Sequence, residues 1–186
     1  FLGEIYTNLP LVMDSPVVQQ HCGTCTACID VCPTHAIISP SELDARKCIS
    51  YLTIEHRGSI DPALRRAVGN RIFGCDDCQV FCPWNKFVQF TAEPDFAPRH
   101  QLDDIGLLEL FSWTEQEFLT RTEGSAIRRT GYEGWQRNIA VALGNADYNA
   151  GIVKVLIAAL EGASDLVAEH INWAIEQQHL KQATQT

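Results

Sequence analysis

The residues best suited to chemistry are eight cysteines, all lying between positions 22 and 82 of a 186-residue chain. Cys22, Cys25, Cys28 and Cys32 are spaced C-x2-C-x2-C-x3-C, and Pro33 follows directly. Cys75, Cys78 and Cys82 repeat the later part, C-x2-C-x3-C, and are followed by Pro83, while Cys48 stands alone between the runs. Gaps of two residues let one loop wrap a face of an iron–sulfur cubane, with thiolates converging and loop amides turned toward the sulfurs. Zinc also takes C-x2-C pairs, but the first run crowds more thiolates together than one tetrahedral ion needs. A disulfide framework suits a small secreted scaffold with little core, whereas this chain is 46% hydrophobic and shows no signal segment. Two [4Fe–4S] clusters are the expected cofactors, and they place the chain in a reducing, cytoplasmic compartment.

The run ending in Cys-Pro is the signature of two-cluster bacterial ferredoxins, in which the last cysteine crosses to the other cluster. By that rule Cys22, Cys25, Cys28 and Cys82 hold one cluster, and Cys32, Cys48, Cys75 and Cys78 hold the second. The second motif departs from the ferredoxin pattern, because its first ligand is displaced upstream to Cys48 by 26 inserted residues.

The elements that must position these thiols follow from local pattern. Residues 34–38 (THAII) read as a short helix or strand after the first loop. Residues 48–55 (CISYLTIE) are rich in β-branched and aromatic side chains, yet Ser41 and Asp44 are placed to cap a helix leading into them. Pro62 to Val68 forms a helix opened by Asp61-Pro62 and closed by Gly69-Asn70. Beyond an acidic, proline-bearing connection the chain turns helical. Ser112 to Glu115 has capping-box spacing, and apolar helices run over 135–143, 152–160 and 166–177.

The expected fold class is α+β: a two-cluster, bacterial-ferredoxin-like domain followed by an all-α, HEAT-like helical repeat. Four segments result. Residues 1–16 are the tail of a preceding domain plus a linker, with FLGEIYT (1–7) reading as a strand end. Residues 17–90 hold the clusters, 91–127 form a linker and helix, and 128–186 form the repeat. The chain starts at Phe1 and reads as the C-terminal portion of a longer protein.

The net charge of −9 argues against a nucleic-acid partner, but its distribution matters. Residues 91–120 hold seven acids and one base, whereas 121–138 hold four bases and two acids. Arg65, Arg66 and Arg71, together with Arg128, Arg129 and Arg137, form two groups that would grip phosphates if they shared one face. No apolar run approaches the ~20 residues of a membrane span.

Taken together, CGTCTACIDVCPTHAI (22–37), CISYLTIEHRG (48–58), IFGCDDCQVFCPWNKF (72–87) and RRTGYEGWQRNIAVALGNA (128–146) resemble the epoxyqueuosine reductase family. That family comprises cobalamin-dependent tRNA-modification enzymes related to reductive dehalogenases. The resemblance implies reduction of epoxyqueuosine to queuosine at the tRNA wobble position, with electrons relayed through both clusters to cobalamin. It implies that Ser50, Cys75 and Asp76 face cobalamin, which is bound mainly by a domain upstream. That upstream domain also carries the catalytic acid, so the resemblance assigns no catalytic residue to this chain. Tyr51, Arg128 and Arg129 are the candidates for contact with the tRNA anticodon stem-loop. An external donor such as a flavodoxin or ferredoxin, and a monomeric state, complete the expectation. The residues alone leave open a ferredoxin-type electron-transfer protein without its own catalysis, or a reductive dehalogenase fragment.

Overall fold

Short cysteine gaps curl the backbone, so each cysteine run passes into a helical turn. The computed structural model describes residues 3–16, 21–100, 102 and 104–184. Cys28 lies in α1 (Ala27–Val31), and an antiparallel hairpin follows, β1 (Ile37–Ser39) and β2 (Glu42–Leu43), with Ile37 opposite Leu43. Asp44 caps a 3-10 turn over Ala45–Lys47 by accepting the Arg46 N–H. Residues 48–55 resolve as a helix, α2 (Ile49–Ile54), because Ile49, Leu52 and Thr53 fall on one buried face. α3 (Pro62–Val68) has the expected bounds, capped by the Asp61 carboxylate. α4 (Asp77–Val80) carries Cys78.

The remaining elements are helices: α5 (Leu107–Ser112), α6 (Glu115–Arg121), α7 (Gly131–Asn145), α8 (Ala150–Ala159) and α9 (Asp165–Thr184). The capping box sits two residues later than its sequence spacing predicts. Thr114 and Glu117 form it, because Ser112 still belongs to α5 and donates to the Glu109 carbonyl. Among the described residues the fold is mostly helical, with one two-stranded sheet. Residues 3–7 form no strand here: Ile5 and Tyr6 are over nine-tenths exposed, and among the described residues no strand pairs with them. Phe1, Leu2, the boundary set at residue 17 and the last two residues lie outside the described residues.

α7 is the shared wall of two apolar clusters. Trp135, Ile139 and Leu143 pack with Leu110, Phe111, Phe118, Leu156 and Ile171. Val141 instead joins Ile49, Leu52, Ile60 and Val68 from the cysteine-bearing part. α9 packs along α7, and Gly144 permits this, since a Cβ there would meet Trp173 Cζ3 at 2.6 Å and Ala174 Cα at 2.9 Å.

Polar groups complete the join. Arg137 is fully buried and donates to the carbonyls of Leu52, His56 and Gly58, each at 2.7 Å. Asn138 donates to Thr53 and Ile72, and Asn145 to Arg65 and Gly69. Arg65 is also buried, bonded to the Ile60 carbonyl and paired with Glu169. Neither Arg65 nor Arg137 is available to grip phosphate, which corrects that expectation. Both guanidinium groups serve internal acceptors, Arg137 across to residues 52–58 and Arg65 to nearby Ile60 and distant Glu169.

His170 on α9 is buried beside Arg65, Glu169 and Arg137. Its Nδ1 lies 2.7 Å from the Leu166 carbonyl, and its Nε2 accepts the Ile60 N–H at 3.1 Å, so the ring is the neutral Nδ1–H tautomer. Burial above all pushes its pKa down, to about 4. The unfolded chain therefore binds a proton near pH 6.5 that the folded chain refuses, and this stabilisation is lost as pH falls from about 6.5 toward 4. His170→Gln keeps an acceptor for Ile60 without titrating. Denaturant unfolding at pH 7 and pH 5 should show the wild type losing about 2 kcal/mol more than the variant; equal losses would refute this account.

Candidate functional site

The eight thiols border two cavities. Cys22, Cys25, Cys28 and Cys82 line a cavity of about 330 Å³ with His21, Pro83, Trp84, Lys86 and Phe87. Cys32, Cys48, Cys75 and Cys78 line a second, of about 480 Å³, which Cys28 also borders. All eight cysteines are free thiols. Among the described residues no three His, Cys, Asp or Glu side chains converge on a single ion position. Four thiols spread around a space are what a cubane requires, because each iron takes one thiolate. The donor set fits two [4Fe–4S] clusters.

α2 holds the later cysteine loop in place. The Ser50 hydroxyl accepts the Cys75 N–H at 2.9 Å and lies 3.1 Å from the Cys75 carbonyl, to which it donates. One turn on, the Thr53 hydroxyl donates to Ile49 and accepts the Gly74 N–H at 2.9 Å. Gly74 has a φ of 77°, a left-handed conformation that turns the chain into the loop without a Cβ penalty. Asp77 borders the second cavity and pairs with Arg71 at 2.5 Å. Asp76 is exposed and accepts from the Gln79 amide.

Three thiols of the second cavity are pushed in different directions by their surroundings. Burial raises the Cys75 and Cys78 pKa values, and at Cys78 the neighbouring Cys75 and Cys48 add to the rise. Burial also opposes ionisation at Cys32, but the Ala36 N–H, the Thr34 hydroxyl and nearby amides outweigh it, and that pKa is lowered. Bound as thiolates, sulfurs this crowded would need cationic iron to offset their repulsion.

The other predicted residues are placed as follows. Ser50, Cys75 and Asp76 sit together, but Ser50 and Asp76 border neither cysteine cavity. Tyr51 is 40% exposed, its ring 6.0 Å from that of His56, over a groove that also includes Arg46 and Lys47. Arg128 and Arg129 are exposed on the turn before α7, and Arg129 pairs with Glu55 at 2.8 Å. Arg66 donates to Gln177 on α9. Sequence reasoning missed Arg57, which donates to the Arg129 and Thr130 carbonyls and so ties the inserted segment to the arginine turn. A loop arginine carries no periodic signal that would have marked it.

Residues 21–85, which hold both thiol-lined cavities, match the 4Fe-4S double cluster binding domain family. Over 97% of its length the chain is related to epoxyqueuosine reductases. It is 59% identical to that of Xanthomonas campestris pv. campestris over 180 residues, 50% of that relative's length. The solved epoxyqueuosine reductase of Streptococcus thermophilus matches with a TM-score of 0.75 at 28% identity, covering 94% of this chain and 45% of that one. A second solved epoxyqueuosine reductase, with an epoxyqueuosine-modified tRNA-Tyr stem loop, matches with a TM-score of 0.71 at 29% identity, covering 92% and 54%. The chain thus spans about half the length of the curated relatives it matches.

Ser50→Ala would leave the Cys75 N–H and carbonyl unpaired in a half-buried setting. Denaturant unfolding should show a loss of about 1–3 kcal/mol. An unchanged midpoint would mean that water replaces the hydroxyl at no cost.

Proposed function

We propose that this chain is the electron-relay and tRNA-docking part of an epoxyqueuosine reductase. The observation that carries the reading is the placement of eight free thiols around two cavities, four on the first and the remaining four with Cys28 on the second, in a chain related to those enzymes along nearly its whole length. Cys22, Cys25, Cys28 and Cys82 hold one cluster. Cys32, Cys48, Cys75 and Cys78 hold the other, read as proximal to cobalamin because Ser50 bonds the Cys75 backbone and Asp76 follows Cys75 in the chain. When bound, the clusters and cobalamin supply the electron transfer and two-electron reduction that no side chain provides. This chain's own residues bind and orient: Ser50 and Thr53 clamp the loop from Gly74 to Cys75, and Asp76 offers a carboxylate at the edge facing cobalamin. No catalytic acid is assigned here.

On this reading the donor is a small external redox protein, the compartment is the cytoplasm and the protein acts as a monomer. α7 to α9 form the HEAT-like repeat, a reading supported by the packing of α9 along α7 and of α8 against α9. No helix among the described residues is long and apolar enough to cross a membrane. The tRNA anticodon stem-loop docks with Tyr51 offering a ring and Arg128 and Arg129 meeting phosphate. Support comes from their exposure and from Arg57, which bridges the inserted segment to the arginine turn.

Two experiments test this. After anaerobic purification, Cys22→Ala and Cys48→Ala should each lose one cluster, and not the same one, by iron and sulfide content and electron paramagnetic resonance. Loss of the same cluster in both refutes the crossed ligand sets. For the tRNA, the Arg128→Ala/Arg129→Ala double variant should bind a stem-loop more weakly and with a shallower dependence on salt, by about one to two released counterions. Unchanged affinity and slope would remove these residues from the interface.

A further inference from the structure

The two cysteine–proline turns look alike in sequence but differ at one atom that matters to a cluster. Both are closed by a backbone bond to the cysteine carbonyl: the His35 N–H bonds Cys32 at 3.1 Å, and the Asn85 N–H bonds Cys82 at 2.9 Å. In the first turn the residue after proline is Thr34, and in the second it is Trp84. Thr34 is only 6% exposed and borders the cavity of Cys32, Cys48, Cys75 and Cys78. Its hydroxyl lies 3.7 Å from Cys32 Sγ, within reach of a large, diffuse sulfur acceptor. His35 then adopts a left-handed φ of 49°, and Ala36 returns its N–H to the same sulfur at 3.2 Å. Trp84 has no hydroxyl, is 54% exposed, and turns its ring edge-on to His21 over the other cavity.

A thiolate bound to iron has no proton to give, so between Thr34 and Cys32 the hydroxyl must be the donor. Adding one electron to an oxidised cluster increases the negative charge shared by the thiolate sulfurs. A hydrogen bond to such a sulfur therefore stabilises the reduced state more than the oxidised state. We infer that Thr34 is a tuning residue, whose hydroxyl raises the reduction potential of the Cys32/Cys48/Cys75/Cys78 cluster and so separates it from the cluster served by the Trp84 turn. This rests on the cluster reading above and adds a residue that the ligand motif does not include. The consequence is directional: raising that potential favours passage of an electron from the outer cluster toward the one beside Ser50.

The test is a redox titration of the anaerobically purified protein, with dithionite as electron source and both cluster signals followed by electron paramagnetic resonance. Cys48→Ser identifies which midpoint belongs to the Thr34 side. Thr34→Val preserves shape and removes the hydroxyl. At the wild-type midpoint of that cluster, its reduced-to-oxidised ratio should fall about fivefold, the weight of one modest hydrogen bond. The other midpoint should stay in place, and Thr34→Ser should titrate like the wild type. An unmoved midpoint in Thr34→Val overturns the inference, as does an equal fall in Thr34→Ser, which would make packing the cause. If Thr34→Val fails to assemble the cluster, Thr34→Ala takes its place. Failure of both, with Thr34→Ser intact, would assign Thr34 to assembly and refute tuning. Absence of any cluster signal in the wild type would instead refute the cluster reading itself.

Discussion

The arrangement depends on one buried cation. Arg137 projects from the middle of α7 into the carbonyl end of α2 and binds the oxygens of Leu52, His56 and Gly58. The last carbonyls of a helix have no partner within it, and a guanidinium offers five donors in a fixed fork. Burial pushes the Arg137 pKa down, as does nearby Arg57, but only to about 10, so the group stays charged at neutral pH. Asn138 and Thr130 donate to the Thr53 carbonyl beside it, which completes the capping of a helix only six residues long. A helix of that length has little stability of its own and needs these tertiary partners.

Because α2 is held at its far end, its near end can organise chemistry. Cys48 immediately precedes it, and Ser50 and Thr53 hold the backbone of Gly74 and Cys75. The 26 residues between Cys48 and Cys75 are thus the part of the cysteine region that the helical half grips most directly. They explain how a ligand displaced far upstream in sequence still borders the same cavity as Cys75 and Cys78.

Charge follows the same division. The acidic excess lies in the stretch that joins the two parts in sequence. Where bases do occur near the join, most are committed: Arg65 to Glu169, Arg71 to Asp77 and Arg129 to Glu55. Counting arginines along the chain therefore overstates the cationic surface, since two of the six candidates are inside the protein.

The double-cluster cysteine motif, the bounds of α3 and the succession of helices after residue 106 were legible in the sequence. Ligand spacing, proline at a helix start and apolar periodicity all act over a few residues, so a linear pattern carries them. The join was not legible. Gln136, Arg137 and Asn138 are consecutive polar residues in an otherwise apolar helix, yet all three are buried. α9 runs past its expected end at Gln177 because Gln178 and Lys181 donate to carbonyls at the end of α7. A polar side chain reads as exposed until its acceptor is known, and here the acceptors lie tens of residues away. Which thiols the chain owns was determined by the sequence. Which helix holds them in place was decided by hydrogen bonds that exist only once the two halves have packed.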